Sequence, residues 1–160
     1  MVLKLLENPI EYKSEHIWCM LTSDPLESYI SQSKDFCLHS SAGAVILFLG
    51  TTRDFFEYKE VVKLSYECYP EMCIIEMQEL CNEILLKYPG TFKVNLIHRI
   101  NVVELKEISV IATISGDHRK ETFEACEELM FLLKKRVPVW KSEIYSDGKH
   151  EWKENKEFYS

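Results

Sequence analysis

The sequence is marked first by what it lacks. Its 160 residues contain only five glycines and five prolines, with no repeat, no low-complexity tract and no linker-like run. The longest apolar run, residues 43–50, has the length of a strand, whereas a membrane-spanning helix needs about 20 apolar residues. The N-terminus reaches charged residues too soon for a secretory signal. We therefore expect one globular domain over residues 1–160, without a membrane partner and in the cytosol.

Positive charge is scarce as well. Lysine and arginine total 19 against 26 aspartates and glutamates, which gives a net charge of −7. This balance argues against a nucleic-acid partner, because nonspecific binding to phosphate backbones depends on a basic surface. A local cluster of cations therefore stands out in this chain and indicates an anionic ligand.

The spacing of metal ligands is also missing. The six cysteines include no C-x-x-C pair and have no histidine at zinc spacing, and the five histidines show no metal-ligand pattern. Cys73, Cys81 and Cys126 fall in helical patterns, where a free cysteine behaves as a small hydrophobe. We predict reduced, structural cysteines and no metal site.

The hydrophobic pattern predicts an α+β fold in which strands outnumber helices. The predicted strands cover residues 16–21, 42–49, 61–68, 94–100, 108–114 and 142–145. A short helix is predicted to begin at Pro25, and two long helices are predicted over residues 70–87 and 120–136. Because residues 42–49 are apolar without interruption, we expect that strand to be central in its sheet.

Apolar stripes predict the buried face of each long helix. In the first helix the stripe consists of Met72, Ile75, Leu80 and Ile84. In the second it consists of Phe123, Cys126, Met130 and Leu133. Trp140 and Trp152 are expected to pack in the core or at its edge.

The segment FLLKKRVPVWKSEIY, residues 131–145, gathers cations at one corner. Pro138 has no backbone N–H and disfavours helical geometry in the residue before it, so a helix must end and an extended segment begin there. Lys134 lies in the last predicted helical turn, and Lys141 lies just past the break. Ammonium groups from two elements thus come near one corner, which indicates a site for an anion.

Two further cationic positions lie at the ends of elements, where rigid elements hold the residues of ligand sites. Arg53 follows the apolar strand, and His118 and Arg119 precede the second long helix, whose N-terminus itself favours an anion. Each position also has a purely structural interpretation. Arg53 would be a solvated loop arginine, and His118 and Arg119 would make only local contacts at a helix start. Lys134 would favour the helix C-terminus electrostatically, and Lys141 would form a surface ion pair with Glu143.

Five segments in order are GAVILFLGTTRD, LSYECYPEM, LIHRI, SGDHRKETFEA and LLKKRVPVWKSEIY. In this order and at these spacings they resemble the large catalytic subunit of molybdopterin synthase, and the eukaryotic form is the closest. The ending WKENKEFYS fits as well, so the resemblance spans residues 8–158. LKKRVPVWK is the most specific of these motifs.

The resemblance implies an α/β-hammerhead fold with mostly antiparallel strands and two long helices. It implies a sulfurtransferase of molybdenum cofactor biosynthesis that works with a ubiquitin-like small subunit, whose C-terminal Gly-Gly tail carries sulfur as a thiocarboxylate. Two sulfur transfers would convert cyclic pyranopterin monophosphate into the dithiolene of molybdopterin. The resemblance further implies a dimer of large subunits within a heterotetramer, and no cofactor.

Site residues follow from the resemblance by motif position. The catalytic residues would be Lys134 and Lys141. The substrate-binding residues would be Thr51, Thr52, Arg53, His118, Arg119, Ser142 and Glu143. In the family the histidine–arginine pair comes from the neighbouring large subunit. We assign Lys134 to the thiocarboxylate and its acyl intermediate and Lys141 to acid–base chemistry on the pterin, because a partly desolvated lysine beside other cations exchanges protons near neutral pH.

Three positions depart from the family pattern. Asn101 stands where glycine is common, Glu71 stands where a small residue or proline is frequent, and Asp117 replaces a usually small, neutral residue. A carboxylate at position 117 would either raise the pKa of His118 or compete with phosphate for Arg119. Two other functions remain open: a non-catalytic dimeric scaffold or anion-binding subunit of the same fold, and an unrelated nucleotide-binding domain. The absence of a glycine-rich loop argues against the second. A scaffold would not need all five of Arg53, His118, Arg119, Lys134 and Lys141.

Overall fold

The computed structural model describes residues 6–56 and 59–153, which contain ten strands, three α-helices and one short 3-10 helix. The strands are β1 (Ile10–Lys13), β2 (Ile17–Thr22), β3 (Ala44–Thr51), β4 (Phe55–Phe56), β5 (Lys59–Cys68), β6 (Thr91–Arg99), β7 (Asn101–Glu104), β8 (Ile108–Gly116), β9 (Val139–Tyr145) and β10 (His150–Lys153). The helices are α1 (Ile30–Cys37), α2 (Pro70–Lys87) and α3 (Arg119–Arg136), and the 3-10 helix (Leu26–Tyr29) leads directly into α1. In this part of the chain no helix is long and apolar enough to cross a membrane.

The strands form two sheets. The first has the order β1-β2-β6-β8-β3, and its β2–β6 pair is parallel while its other pairs are antiparallel. The second has the order β10-β9-β5-β4, with β7 also paired to β5, and its pairs are antiparallel. The predicted α+β class with mostly antiparallel strands and two long helices is confirmed. The last part of the family resemblance, after Lys153, lies outside the described residues.

The long helices bury faces that differ in part from the predicted ones. The buried residues of α2 are Cys73, Met77, Leu80, Cys81 and Ile84. Met72 and Ile75 are 60% and 56% exposed, because at about 100° per residue they lie on the side of the helix away from Leu80 and Ile84. Phe123 of α3 is also exposed and lies at the margin of the buried face of that helix. The other three residues of the predicted stripe, Cys126, Met130 and Leu133, are buried. The predictions for these three exposed residues were wrong.

The apolar strand β3 is not central. It pairs with β8 alone among the described strands and forms an edge of the first sheet. Helices α3 and α1 nevertheless contact it, and Ile46 packs against one core cluster while Leu49 packs against another. An uninterrupted apolar run indicates that both faces of a strand are covered, and it carries no information about whether both edges are paired. The expectation of a central strand was therefore wrong.

The cysteines are structural in the folded chain. All six are free and buried, as expected, and the Cys19 and Cys81 sulfurs of β2 and α2 lie 3.5 Å apart. Burial raises the pKa of the Cys126 thiol to about 11. These thiols fill the core between sheet and helix as small apolar groups.

The departure at Asn101 has a backbone explanation. Its φ is +71°, in the left-handed region that glycine adopts freely and that asparagine tolerates better than most residues. Asn101 stands at the point where the chain leaves β6 and turns into β7. A residue that accepts positive φ is required there, and asparagine meets the requirement.

Candidate active site

The two ends of α3 define two separate cationic regions. The helix follows β8 after only Asp117 and His118 and packs on β8 and β3, so it runs back antiparallel to β8. Fifteen residues separate Arg119 from Lys134, which corresponds to about 22 Å at 1.5 Å per residue. Within one chain, His118 and Arg119 therefore lie far from Lys134.

Lys134 and Lys141 lie on either side of the break between α3 and β9. Lys134 lies in the last helical turn, Val137 caps the helix with an N–H···O bond of 3.1 Å to Leu133, and β9 begins after Pro138. The Pro138 carbonyl accepts a hydrogen bond from the Cys73 thiol at 3.2 Å, which ties the break to the start of α2. The proline thus acts as a fixed corner between the two lysine-bearing elements.

Arg136 at the same helix end is structural. Its Nε donates to Glu76 Oε1 at 2.7 Å and its Nη1 donates to the Glu83 carboxylate at 2.7 Å. Both glutamates belong to α2, so the guanidinium joins the two long helices. For this residue the structural interpretation holds, and Lys134, two residues earlier, lies on an exposed part of the helix.

The TTR segment reaches the same end of the first sheet through β3. Thr51 pairs with Ile108 at the start of β8, and the Thr52 N–H donates to the Glu107 carbonyl at 3.2 Å. Thr52 is buried, and its hydroxyl has no hydrogen-bond partner within residues 6–56 and 59–153. Arg53 follows with an exposed side chain.

Tyr66 of β5 connects this segment to Lys141. It lies directly opposite Lys141 in the β5–β9 register, and Ser109 is a side-chain neighbour of its hydroxyl. Ser109 Oγ donates to the Gly50 carbonyl at 3.2 Å, immediately before Thr51. Burial raises the pKa of Tyr66, so this hydroxyl stays protonated. Ser109 and Tyr66 therefore lie between the β3 end and the strand that carries Lys141.

His98 supports Tyr66 from the first sheet. The two rings meet edge to face with centroids 5.0 Å apart, and His98 Nδ1 lies 2.7 Å from the Arg99 carbonyl oxygen. Burial lowers the pKa of His98 to about 4, so the imidazole is neutral at physiological pH. With Nδ1 so close to a carbonyl oxygen, Nδ1–H is the fitting tautomer.

Glu143 is the buried acid of the corner. Its side chain is only 4% exposed, and its Oε2 accepts a hydrogen bond from the Tyr145 hydroxyl at 2.7 Å. Lys141 Nζ lies 3.9 Å from Oε1, and Lys153 Nζ lies 4.0 Å from Oε2. Ser142, on the opposite face of β9, is also buried. The predicted one-sided placement of Lys141 and Glu143 holds, but Glu143 is buried and is no surface ion-pair partner.

The sequence interpretation missed the partners of Glu143. They are Tyr145 and Lys153, with Glu151 and Lys59 beside them. The Asp147-Gly148 pair, which is typical of a turn, was the available signal, since a strand after such a turn forms a hairpin with β9 and places Lys153 opposite Lys141.

The N-terminal end of α3 is built more sparsely. His118 occupies the N-cap position, where its carbonyl accepts hydrogen bonds from Thr122 N at 3.2 Å and Thr122 Oγ1 at 2.7 Å. The side chains of His118 and Arg119 are both exposed. The carboxylate of Asp117 lies over Gly90, where a Cβ would come within 2.3 Å of Oδ1. Asp117 is thus accommodated by a glycine, and the side chains of His118 and Arg119 are exposed to solvent.

Sequence comparisons find relatives that match most of the chain. The model of the MoaE protein family matches residues 21–136. A molybdopterin synthase catalytic subunit 1 from Aedes aegypti is 45% identical over 139 residues, which make up 86% of this chain and 88% of that protein. The molybdopterin synthase catalytic subunit of Bos taurus is 37% identical over 152 residues, or 95% of this chain and 78% of the relative.

Solved structures share the fold. The crystal structure of molybdopterin synthase from Staphylococcus aureus matches with a TM-score of 0.80 and 28% identity, covering 90% of this chain and 100% of that one. A complex of subunits 1 and 2 of molybdopterin-converting factor from Helicobacter pylori 26695 matches with a TM-score of 0.68, over 88% of this chain and 91% of that one. At 16% identity, the second likeness bears on the fold alone.

Proposed function

Because this chain belongs to the MoaE protein family, we propose how its own residues divide the chemistry of a molybdopterin synthase catalytic subunit. The activity is that of a sulfurtransferase in molybdenum cofactor biosynthesis. In the proposal, sulfur arrives as the C-terminal thiocarboxylate of a ubiquitin-like small subunit and is transferred to cyclic pyranopterin monophosphate. The reaction uses no metal and no cofactor of this chain's own, and the location is cytosolic.

The observation that carries the proposal is the corner at Pro138. Lys134 lies in the last turn of α3, half-buried Lys141 follows three residues past the proline, and buried Glu143 lies beside Lys141. Lys134 contacts the thiocarboxylate and the acyl group that remains when sulfur leaves. Lys141 moves protons to and from the pterin, and Glu143 orients it.

The TTR segment completes this half of the site. Arg53 offers a planar fork of donors that suits the cyclic phosphate of the substrate. Thr52 is buried directly before Arg53, and its backbone N–H donates to the Glu107 carbonyl at 3.2 Å, which fixes the start of the loop that carries Arg53. Thr51 lies beside Thr52 at the end of β3, and Ser109 and Tyr66 lie between this segment and the Lys141 strand.

His118 and Arg119 require a second copy of the chain in this proposal. The distance of about 22 Å along α3 prevents them from reaching Lys134 of their own chain. A dimer of large subunits, each with one small subunit, would place this pair of one protomer over the lysine corner of the other. The exposure of both side chains at the start of α3 supports such a role.

Reconstitution tests the activity. Purified chain is mixed with thiocarboxylated small subunit and cyclic pyranopterin monophosphate, and molybdopterin is detected as its fluorescent oxidised derivative. We expect product without added metal and equally in the presence of a chelator. A stable complex with the small subunit that forms no product would instead favour the non-catalytic scaffold.

Mixed dimers test the shared site. Arg119→Ala and Lys134→Ala chains are each inactive in the proposal, but a heterodimer of the two has one site with both residues intact. Random mixing makes half of the dimers heterodimers, so activity should return to about a quarter of the wild-type value. No recovery after subunit exchange, verified by differently tagged chains, would contradict the two-chain site.

A further inference from the structure

The β9–β10 hairpin places two lysines side by side. Lys153 pairs directly with Lys141, and Glu151 pairs with Glu143, so these four side chains share one face of the second sheet. Directly opposed residues have Cβ atoms about 5 Å apart, where like charges repel unless a carboxylate is shared between them. Glu143 is the carboxylate shared between the two lysines, because it lies near both ammonium groups.

The two carboxylate oxygens of Glu143 have different neighbours. Oε2 accepts the Tyr145 hydroxyl at 2.7 Å and lies 4.0 Å from Lys153 Nζ, whereas Oε1 lies 3.9 Å from Lys141 Nζ. A carboxylate that is only 4% exposed is stable when hydrogen bonds and opposite charges fix it. Here one oxygen is anchored and the other faces the proposed catalytic lysine.

Glu151 contacts both residues that fix Oε2 of Glu143, namely Lys153 and Tyr145. Its Oε2 accepts from Lys153 Nζ at 2.9 Å and from the Tyr145 hydroxyl at 3.3 Å, and Lys59 pairs with Oε1. The hydrogen bonds from Lys59 and Lys153 lower the pKa of Glu151 to about 2, and burial raises the pKa of Tyr145 to about 12. Three ammonium groups thus face two carboxylates, which leaves one net positive charge at this corner of an acidic chain.

From this geometry we propose that Lys153, together with Tyr145, is a positioning residue of the active site. The pair anchors Oε2 of Glu143 so that Oε1 holds the Lys141 ammonium in place for proton transfer. Lys153 also adds a cation beside Lys141, which favours the release of a proton from Lys141. The inference rests on the proposed function, since it assigns a role toward that reaction. Within residues 6–56 and 59–153, the charged and titratable groups around Lys141 include Lys59, Tyr66, His98, Glu143, Tyr145, Glu151 and Lys153.

The test compares Lys153→Met with Lys153→Arg in the reconstituted complex. We expect Lys153→Met to lower kcat by about 10-fold to 100-fold with a smaller change in KM, because a displaced catalytic group costs rate more than binding. The bend of the kcat–pH profile should move to higher pH, since a neighbouring cation has been removed. Lys153→Arg, which keeps the charge, should restore most of the rate and return the bend toward the wild-type pH.

Controls separate positioning from folding. Lys149→Met removes an exposed lysine of the same hairpin, paired with Asp147, and should leave kcat and the pH profile unchanged. If Lys153→Met does not fold, Tyr145→Phe removes the hydroxyl alone and should lower kcat with a smaller shift of the profile. A pH profile identical to wild type in a folded Lys153→Met or Tyr145→Phe chain would overturn the inference. A wild-type chain that forms no product would instead overturn the proposed function.

Discussion

The two ends of α3 both carry cations, yet they are built differently. At the C-terminal end, Lys141 lies beside buried Glu143, whose other oxygen is bonded to Tyr145. At the N-terminal end, His118 and Arg119 are exposed, and the hydrogen bonds between His118 and Thr122 use the backbone carbonyl of His118. One end is organised within the chain, and the other presents its cations outward.

This difference separates catalytic positioning from substrate capture. A proton-transferring lysine needs a fixed neighbour, because its protonation depends on nearby charges and burial. His118 and Arg119, which are proposed to bind phosphate, need only suitable hydrogen-bond donors and side chains long enough to contact it. They can therefore remain exposed to solvent until a ligand and a second protomer bind. The comparison therefore predicts unequal responses to substitution at the two ends.

The largest effect is expected at Lys134. In the reconstituted complex, Lys134→Ala should reduce kcat by about 10²-fold to 10⁴-fold, the usual contribution of a positioned acid–base or contact residue. Lys135→Ala is the matched control, because it removes a neighbouring exposed cation of the same helical turn and should retain nearly full rate. A near wild-type rate for Lys134→Ala would remove this lysine from the mechanism.

An intermediate effect concerns stability in acid at the organised end. The pKa of His98 is about 4 in the folded chain because of burial, against about 6.5 when unfolded, so between these pH values the unfolded chain binds the additional proton. The free energy of unfolding should therefore fall on acidification from pH 6.5 to 4, by a total on the order of 3 kcal/mol from this group.

Urea titrations at several pH values measure that loss. His98→Phe keeps an aromatic ring against Tyr66 and cannot titrate, so its free energy of unfolding should depend less steeply on pH across this window. Equal slopes for the two proteins would show that His98 does not contribute to acid sensitivity.

The smallest effect is expected at the exposed end. His118→Ala should change the free energy of unfolding by less than about 0.5 kcal/mol, because the bonds to Thr122 use the backbone carbonyl and remain. The same variant should raise KM for the pterin in the reconstituted complex. A large loss of stability measured by thermal unfolding would mean that this end is as organised as the other.

Much of the framework was predictable because it depends on local chemistry. Pro138 ended α3 near where expected, since a missing N–H breaks a helix wherever it occurs. Lys141 and Glu143 shared a face because strand side chains alternate. Met72 and Phe123 were misassigned because a helical pattern with apolar residues on several sides does not say which side meets the sheet.

The residues missed at the site were missed for one reason. Tyr66 and Lys153 come from strands distant in sequence from Lys141, at 75 and 12 residues, and meet it only through strand pairing. Tyr145 is two residues from Glu143, but its role depends on burial of the carboxylate. Pairing register and burial are properties of the whole fold.

The sequence by itself determined the α+β class, the family and the cations at both ends of α3, because these depend on residue identity, order and local geometry. Only the tertiary structure decided that β3 is an edge strand and that Glu143 is buried. It also decided which carboxylate oxygen of Glu143 faces Lys141. Distances between side chains on different elements arise from packing, and no local pattern encodes them.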